Sequence, residues 1–320
     1  MSSRQSRRSP ELLLIDPWHL SPTRLLGNEY RQKSAIRFAA PAQFNSKMLL
    51  VNRGLLTQSR WLKRPYNDRG EHALPWNLLA SPQQDAKPRV PNGLRIYAIG
   101  DVHGRVDLLN AVFERIDATL KAHPIKQSVQ IFLGDYIDRG PNSREVIDAL
   151  IARKKQHAMV CLKGNHESYA VQFLSDPSVL TEWRQFGGDS TLLSYEVKPS
   201  TRSDPQPPEV VAEAFSRALP TSHRLFLESL GLSFTCGDFF FTHAGVRPGI
   251  PLGQQREHDL LWIREDFLLH EEDFGKIIVH GHTPAKEPDI RPNRINIDTG
   301  AYATGRLTCL VLQADRRVFI

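Results

Sequence analysis

From Leu94 onward, the chain alternates short apolar segments rich in β-strand formers with segments that have helical periodicity. The strand candidates are LRIYAI, VQIFLGD, AMVCLKGN, DFFFTHAG, KIIVHGH, RINIDTG and RLTCLVLQ. Apolar residues after the first of them recur at intervals of three and four and mark one helix face: Val106, Leu109, Phe113, Ile116 and Leu120. Strand patterns that alternate with helix patterns predict an α/β fold.

Five of the strand candidates end in residues of the types that bind metal ions in proteins. These residues are Asp101 and His103, Asp135 and Asp138, Asn165 and His166, His243, and finally His280 and His282. An isolated Asp before Gly is more often a turn residue, and an isolated His is more often a structural one. Five such strand ends in succession are hard to explain in that way. Because ligands gather at the carboxyl ends of strands in open α/β sheets, we expect a metal site with too many ligands for one ion.

The ligand types limit the choice of metal. Carboxylates, imidazoles and an amide oxygen suit Mn²⁺, Fe²⁺/³⁺ or Zn²⁺ better than they suit a thiolate site or an all-oxygen calcium cage.

The residues at these strand ends belong to five short motifs. They are GDVHG (100–104), GDYIDRG (134–140), GNHE (164–167), THAG (242–245) and HGHTP (280–284). In order and approximate spacing, the motifs resemble the signature blocks of the phosphoprotein phosphatases within the calcineurin-like metallophosphoesterases, of the bacterial serine/threonine phosphatase type. The resemblance covers about residues 94 to 310. It implies a central β-sandwich flanked by helices (α/β/β/α).

The resemblance also implies a metal ligand set. One ion would be held by Asp101, His103 and Asp135. The second would be held by Asp135, Asn165, His243 and His282. Asp135 would then bridge the two ions. His280 would lie outside the direct ligand set, because the family ligand matches the histidine of GHT.

For the substrate, the resemblance implies an acid and a phosphate clamp. His166 would be the general acid, and Asp138 would orient it. Arg139 of DRG, Arg264 of LLWIRED and Asn165 would bind the phosphate. Arg264 rests on a weaker motif, and a surface salt bridge is the alternative for it.

Phosphate ester hydrolysis needs these residue types together. Two cations about 3.5–4 Å apart turn a bridging water into hydroxide for direct attack on phosphorus. Arginine forks bind the phosphoryl oxygens, and a histidine held by a carboxylate protonates the leaving alkoxide. We expect two divalent ions as cofactors, manganese first, with iron or zinc as alternatives.

The expected activity is therefore metal-dependent hydrolysis of phosphate monoesters, first of all phosphoserine and phosphothreonine in proteins or peptides. Symmetric diadenosine tetraphosphate hydrolases share GDVHG but usually carry ARG and GNHD, where this chain has DRG and Glu167. A symmetric diadenosine polyphosphate hydrolase and a broad-specificity phosphomonoesterase remain alternatives. The intact ligand set argues against a third alternative, a noncatalytic protein that binds phosphate or nucleic acid.

Two further segments have open interpretations. WRQFGGDSTLLSY (183–195) is equally compatible with a substrate groove and with a helix-turn-helix surface. NIDTGAY (296–302) follows another strand candidate; we favour a structural turn for it, and approach to the metal site is the alternative.

The basic residues are concentrated before the α/β pattern begins. Residues 1–90 hold 15 Lys+Arg and 6 Asp+Glu, a surplus of 15 − 6 = +9, and residues 91–320 hold 26 against 29. The first part has many prolines and no sustained period of 2 or 3.6 residues. We expect a largely disordered extension over 1–90 and a metallophosphoesterase domain over 91–320, with no stable nucleic-acid partner.

The chain has no apolar run near the roughly 18 residues that span a bilayer, so we expect no membrane insertion. Cys161, Cys236 and Cys309 lie far apart in apolar segments, and we expect them to be buried reduced thiols. This cysteine usage predicts a cytoplasmic protein.

Overall fold

The computed structural model describes residues 87–320. Its strands are β1 Leu94–Ile99, β2 Gln127–Phe132, β3 Met159–Cys161, β4 Ser233–Cys236, β5 Phe239–Thr242, β6 Ile277–His280, β7 Asp289–Ile290, β8 Arg294–Asn296, β9 Cys309–Gln313 and β10 Arg316–Phe319. Its helices are α1 Val106–Ala122, α2 Ser143–Lys154, α3 Asn165–Phe173, α4 Leu180–Gln185, α5 Gly188–Ser194, α6 Pro208–Ala218, α7 Thr221–Glu228, α8 Glu257–Trp262, α9 Glu265–Leu268 and α10 Ala301–Thr304.

The strands form two five-stranded mixed sheets. The first has the order β10-β9-β1-β2-β3, and the second has the order β4-β5-β6-β8-β7. Strands β1, β2 and β3 are parallel, as are β5, β6 and β8, whereas the remaining pairs are antiparallel. The parallel strands lie next to one another in each sheet, so their carboxyl ends come together.

Alternation along β1 shows how the layers form. Ile96 and Ala98 point into one apolar cluster, and Tyr97 and Ile99 point into another, because successive strand residues face opposite sides of a sheet. The first cluster lies between the sheets and includes Ile131, Leu133, Phe239, Phe241, Val279 and Ile295. The second joins the first sheet to helices through Leu109, Val146, Phe173, Phe215 and Phe226.

The outer face of the second sheet is also covered. Phe240 and Ile278 pack there with Leu260 of α8 and Phe267 of α9. The expected helix-flanked β-sandwich is therefore confirmed.

Every strand candidate found in the sequence forms a strand in the structure. The strands β4, β7 and β10 had not been predicted; each lies at a sheet edge and has four residues or fewer, too few to establish a period.

The predicted extension, residues 1–90, lies outside the described residues except for its last four. Of those four, Val90 is fully buried in the cluster between the sheets, and its backbone N–H donates to the Ala314 carbonyl at 3.0 Å. The backbone N–H of Arg89 donates to Asp238 Oδ2 at 2.9 Å. We therefore propose that the folded domain begins by Lys87.

Removal of residues 1–86 is expected to leave the melting temperature nearly unchanged and to reduce retention on heparin. The removed piece carries 13 Lys+Arg and 6 Asp+Glu, a surplus of 13 − 6 = +7, and attraction to a polyanion falls with this charge. A cut four residues later serves as the control, since loss of buried Val90 costs about 2 kcal/mol of unfolding free energy. A large fall in melting temperature after the shorter cut would show that the extension packs on the domain. Unchanged heparin retention would place the basic surface within residues 87–320.

Among residues 87–320, no helix is both long and apolar enough to cross a membrane. The three cysteines are free thiols; Cys161 and Cys309 are buried as expected, but Cys236 on edge strand β4 is only partly buried.

Candidate active site

The motif residues meet where the carboxyl ends of the parallel strands of both sheets come together. All the residues expected to bind metal are buried, as are His166 and Asp138. Seven described non-glycine residues have a left-handed φ, and five of them belong to these motifs: His103, Asp135, Asp138, Arg139 and His282. Such backbone conformations cost energy and cluster at functional sites, so the tight turns after the strands aim these side chains at one place.

One group of possible metal ligands consists of His103, Asp135 and His166. Asp135 Oδ2 lies 3.4 Å from His103 Nε2 and 3.6 Å from His166 Nε2. His103 Nδ1 lies 2.9 Å from the Ile137 carbonyl, so Nδ1–H donates there and the Nε2 lone pair faces Asp135.

A second group consists of Asp135, His243 and His282, with Asn165 among them. His243 Nδ1–H donates to the Leu133 carbonyl at 3.1 Å, which leaves the Nε2 lone pair inside the group. That nitrogen lies 3.0 Å from Asn165 Oδ1 and 3.3 Å from Asp135 Oδ1. Three acceptor atoms that face one another are the arrangement that a cation stabilises.

Asp101 lies beside these two groups and belongs to neither. Its Oδ2 accepts the backbone N–H of His282 at 3.0 Å, whereas its Oδ1 and His282 Nε2 are buried without a hydrogen-bond partner. A side chain at Gly281 would clash with Asp101, and one at Gly164 would clash with Asp135. The glycines of HGH and GNHE therefore let the backbone approach these two carboxylates.

The charges and the burial of these side chains favour the binding of cations. Burial, followed by the charges of neighbouring carboxylates, raises the pKa of Asp101 and Asp135 well above the usual range. Burial also lowers the pKa of His103 and His282, and that of His243 to about 3, so these imidazoles are neutral. Neutral imidazoles, repelling carboxylates and orphaned acceptors together fit divalent metal ions.

Glu167, the last residue of GNHE, had no assigned role in the sequence. It is fully buried on α3 and accepts backbone N–H groups of Asp135 (2.9 Å), Tyr136 (2.7 Å) and Gly164 (2.9 Å). It thus ties the turn that carries Asp135 to the start of α3. A glutamate in the first turn of a helix usually caps that helix. No local sequence pattern shows that Glu167 also binds the distant backbone of residues 135 and 136.

Glu167→Gln is expected to lower the free energy of unfolding by about 3 kcal/mol. The amide would turn N–H donors toward backbone N–H groups that now face a carboxylate oxygen. Urea unfolding measures the loss, and Glu213→Gln on exposed α6 is the matched control, expected to change stability by less than about 0.5 kcal/mol. Equal stability of the two variants would contradict the role of Glu167.

His166 and Asp138 form a buried pair. His166 Nδ1 lies 2.7 Å from Asp138 Oδ2, which also accepts the indole N–H of Trp183 at 2.8 Å, and the Thr191 hydroxyl donates to Asp138 Oδ1. Burial raises the pKa of Asp138 to about 7, and the hydrogen bonds from Thr191 and Trp183 oppose that rise. Segment 183–195 thus spans the end of α4 and the whole of α5, and its Trp183 and Thr191 hold Asp138. Phe186 of the same segment lines the cavity described next, as the substrate-groove interpretation expects.

A cavity of about 60 Å³ opens among these side chains. Its lining includes Arg139 and Arg264 as well as His103, Asp135, Asn165 and His166. Arg264 is exposed and forms no salt bridge with any residue in the described part of the chain, so the alternative of a surface salt bridge has no support. Both arginines therefore line the same small cavity as the proposed metal ligands.

The segment 296–302 forms more than the structural turn favoured from the sequence. Asp298 Oδ1 accepts the Gly300 N–H at 2.8 Å, as expected for a turn, but Asp298 and Tyr302 also line the cavity. Burial raises the pKa of Asp298 to about 6. Their position beyond another strand end was the one signal that pointed to the site.

His280 is buried at the end of β6, where its ring packs edge-on against Phe267 at 4.9 Å between centroids. It belongs to neither ligand group and does not line the cavity.

Comparison with known proteins agrees with this geometry. The profile of the calcineurin-like phosphoesterase family matches residues 94–316. A bis(5'-nucleosyl)-tetraphosphatase PrpE [asymmetrical] from Anoxybacillus flavithermus is 29% identical over 223 residues, which cover 66% of this chain and 88% of the relative. The protein of that name from Bacillus thuringiensis is 28% identical over 234 residues, again 66% of this chain and 88% of the relative.

Among solved structures, that of a candidate diadenosine tetraphosphatase superposes with a TM-score of 0.50 at 16% identity. The match covers 73% of this chain and 97% of that one, and it shows a shared fold.

Proposed function

This chain belongs to the calcineurin-like phosphoesterase family and is a phosphoester hydrolase, and we propose that its substrates are phosphate monoesters, with phosphoserine and phosphothreonine in proteins or peptides foremost. The observation that carries the proposal is the buried His166–Asp138 pair beside the small cavity. An alkoxide of serine or threonine is a poor leaving group and needs a proton, whereas the leaving phosphate of an anhydride needs far less help.

The proton path follows from the contacts of His166. Its Nδ1–H donates to Asp138, so Nε2 is the atom that passes a proton to the leaving oxygen, and it carries that proton when the ring is an imidazolium. Burial and the charge of Arg139 lower the pKa of His166, while the Asp138 carboxylate favours the imidazolium. The result is an acid that gives up its proton readily.

The phosphate is held by the two arginines. Arg139 and Arg264 offer planar N–H forks that match phosphoryl oxygens, and Asn165 shares the cavity lining with them. These side chains come from distant parts of the chain and line one cavity of about 60 Å³.

We propose two divalent ions, manganese first and iron or zinc as alternatives, held by two sets of residues. The sets are Asp101, His103 and Asp135, and Asp135, Asn165, His243 and His282. When bound, such ions activate water and neutralise the charge on phosphorus-bound oxygens.

Hydrolysis of bis(5'-nucleosyl) tetraphosphates is the second candidate, because the curated relatives carry that name. The name of these relatives specifies asymmetrical cleavage, which differs from the symmetric cleavage considered from the sequence.

A substrate panel tests the proposal. Peptides that carry phosphoserine, phosphothreonine or phosphotyrosine are compared with diadenosine tetraphosphate, with and without Mn²⁺, by kcat/KM. Preference for the phosphoserine or phosphothreonine peptides supports the proposal. Preference for diadenosine tetraphosphate would overturn it, and the products then distinguish asymmetric cleavage (ATP and AMP) from symmetric cleavage (two ADP).

A further inference from the structure

Tyr302 joins two groups of the cavity that come from distant parts of the chain. Arg139 Nη1 donates to the Tyr302 hydroxyl at 2.9 Å, and the guanidinium carbon lies 4.8 Å from the centroid of the ring. The same ring packs edge-on against His103, with centroids 5.5 Å apart. One side chain therefore contacts an arginine of the proposed phosphate clamp and a proposed metal ligand.

The backbone that carries Tyr302 is held on both sides. Short helix α10 lies between Gly300 and Gly305, which both have a left-handed φ, 63° and 70°. The Thr304 hydroxyl donates to the Thr299 carbonyl at 2.8 Å, and Arg105 Nη1 donates to the Ala301 carbonyl at 3.1 Å. The tyrosine ring is thus presented from a fixed turn.

Arg139, by contrast, is exposed, and its backbone has a left-handed φ of 65°. Within residues 87–320, Tyr302 is the hydrogen-bond partner of its guanidinium. A guanidinium has five N–H donors, so this bond leaves a fork free for two phosphoryl oxygens.

We propose that Tyr302 is a positioning residue that holds the Arg139 guanidinium at the cavity, oriented to receive a phosphoryl group. This inference rests on the proposed function, in which Arg139 binds the phosphate. A long exposed arginine loses rotamer freedom when it binds, and a side chain that holds it in place beforehand removes part of that cost. The contact therefore favours binding of substrate and of free phosphate.

The test is a double-mutant cycle with Tyr302→Phe, Tyr302→Leu and Arg139→Ala, assayed with p-nitrophenyl phosphate and with inorganic phosphate as competitive inhibitor. Tyr302→Phe loses the hydrogen-bond acceptor and keeps the ring, so KM and the inhibition constant should each rise about fivefold. Tyr302→Leu loses the ring as well, and both constants should rise about 10–30-fold, with kcat changed less than about threefold. In the Arg139→Ala background, either change at Tyr302 should add almost nothing.

Two controls separate positioning from structural support. Metal content after Mn²⁺ loading should match wild type in both variants, because the tyrosine contacts only the ring of His103. Tyr195→Phe removes a buried hydroxyl that contacts His223 outside the cavity, and it should leave both constants unchanged.

Equal effects of the Tyr302 changes with and without Arg139 would overturn the proposal, as would loss of metal in Tyr302→Phe. An unchanged inhibition constant in Arg139→Ala would overturn it together with the phosphate-binding role of Arg139. A preference for diadenosine tetraphosphate in the substrate panel would overturn the proposed function. The double-mutant cycle would still test whether Tyr302 positions Arg139.

Discussion

Asp135→Asn is expected to cause the largest loss of any single substitution, removing most bound metal and lowering kcat by more than about 10³-fold. The two oxygens of Asp135 face different groups: Oδ1 lies 3.3 Å from His243 Nε2, and Oδ2 lies 3.4 Å from His103 Nε2. An amide would remove the charge and replace one oxygen by N–H donors, so both proposed ion positions lose their shared ligand.

Elemental analysis of Mn²⁺-loaded protein, together with turnover of a phosphate ester, measures this effect. Asp315→Asn, in an exposed turn, is the matched control and should keep both metal and activity. A thermal melt verifies that the variant is folded, since Glu167 still holds the backbone N–H of residue 135. Metal content and activity like those of wild type would remove Asp135 from the bridging role.

His166→Asn is expected to leave the metal content unchanged while kcat falls about 10²–10⁴-fold for a phosphoserine peptide. The reason is loss of the proton that Nε2 gives to a poor leaving group. p-Nitrophenyl phosphate, whose leaving group needs little protonation, should suffer much less. The ratio of the two losses is the measurement, with metal content determined on the same samples.

The geometry makes this experiment necessary, because His166 Nε2 lies 3.6 Å from Asp135 Oδ2 and His166 shares a possible metal-ligand group with His103. If His166 binds metal, both substrates lose activity equally and metal content falls. His223→Asn, on a buried histidine of α7 that does not line the cavity, is the control for removal of an imidazole.

The amino-acid sequence by itself determined the α/β class, the main strands and the residues that meet at their ends. These features are local: a strand pattern, a glycine turn and a ligand-type side chain such as Asp101 or His243 follow one another within a few residues. Because parallel strands bring their carboxyl ends to one edge, local patterns were enough to predict that these side chains converge.

Only the tertiary structure decided which other side chains complete the cavity and support it. Asp298 and Tyr302 line the cavity. Glu167 holds the backbone of Asp135, and Trp183 holds Asp138, which contacts His166. Each of these contacts joins segments far apart in the chain, as Tyr302 and Arg139 do across 163 residues. From the sequence alone, a tyrosine, a tryptophan or a turn aspartate is compatible with several structural roles. Its role depends on which distant residue the fold brings next to it, because hydrogen bonds and ring contacts act only over a few ångströms.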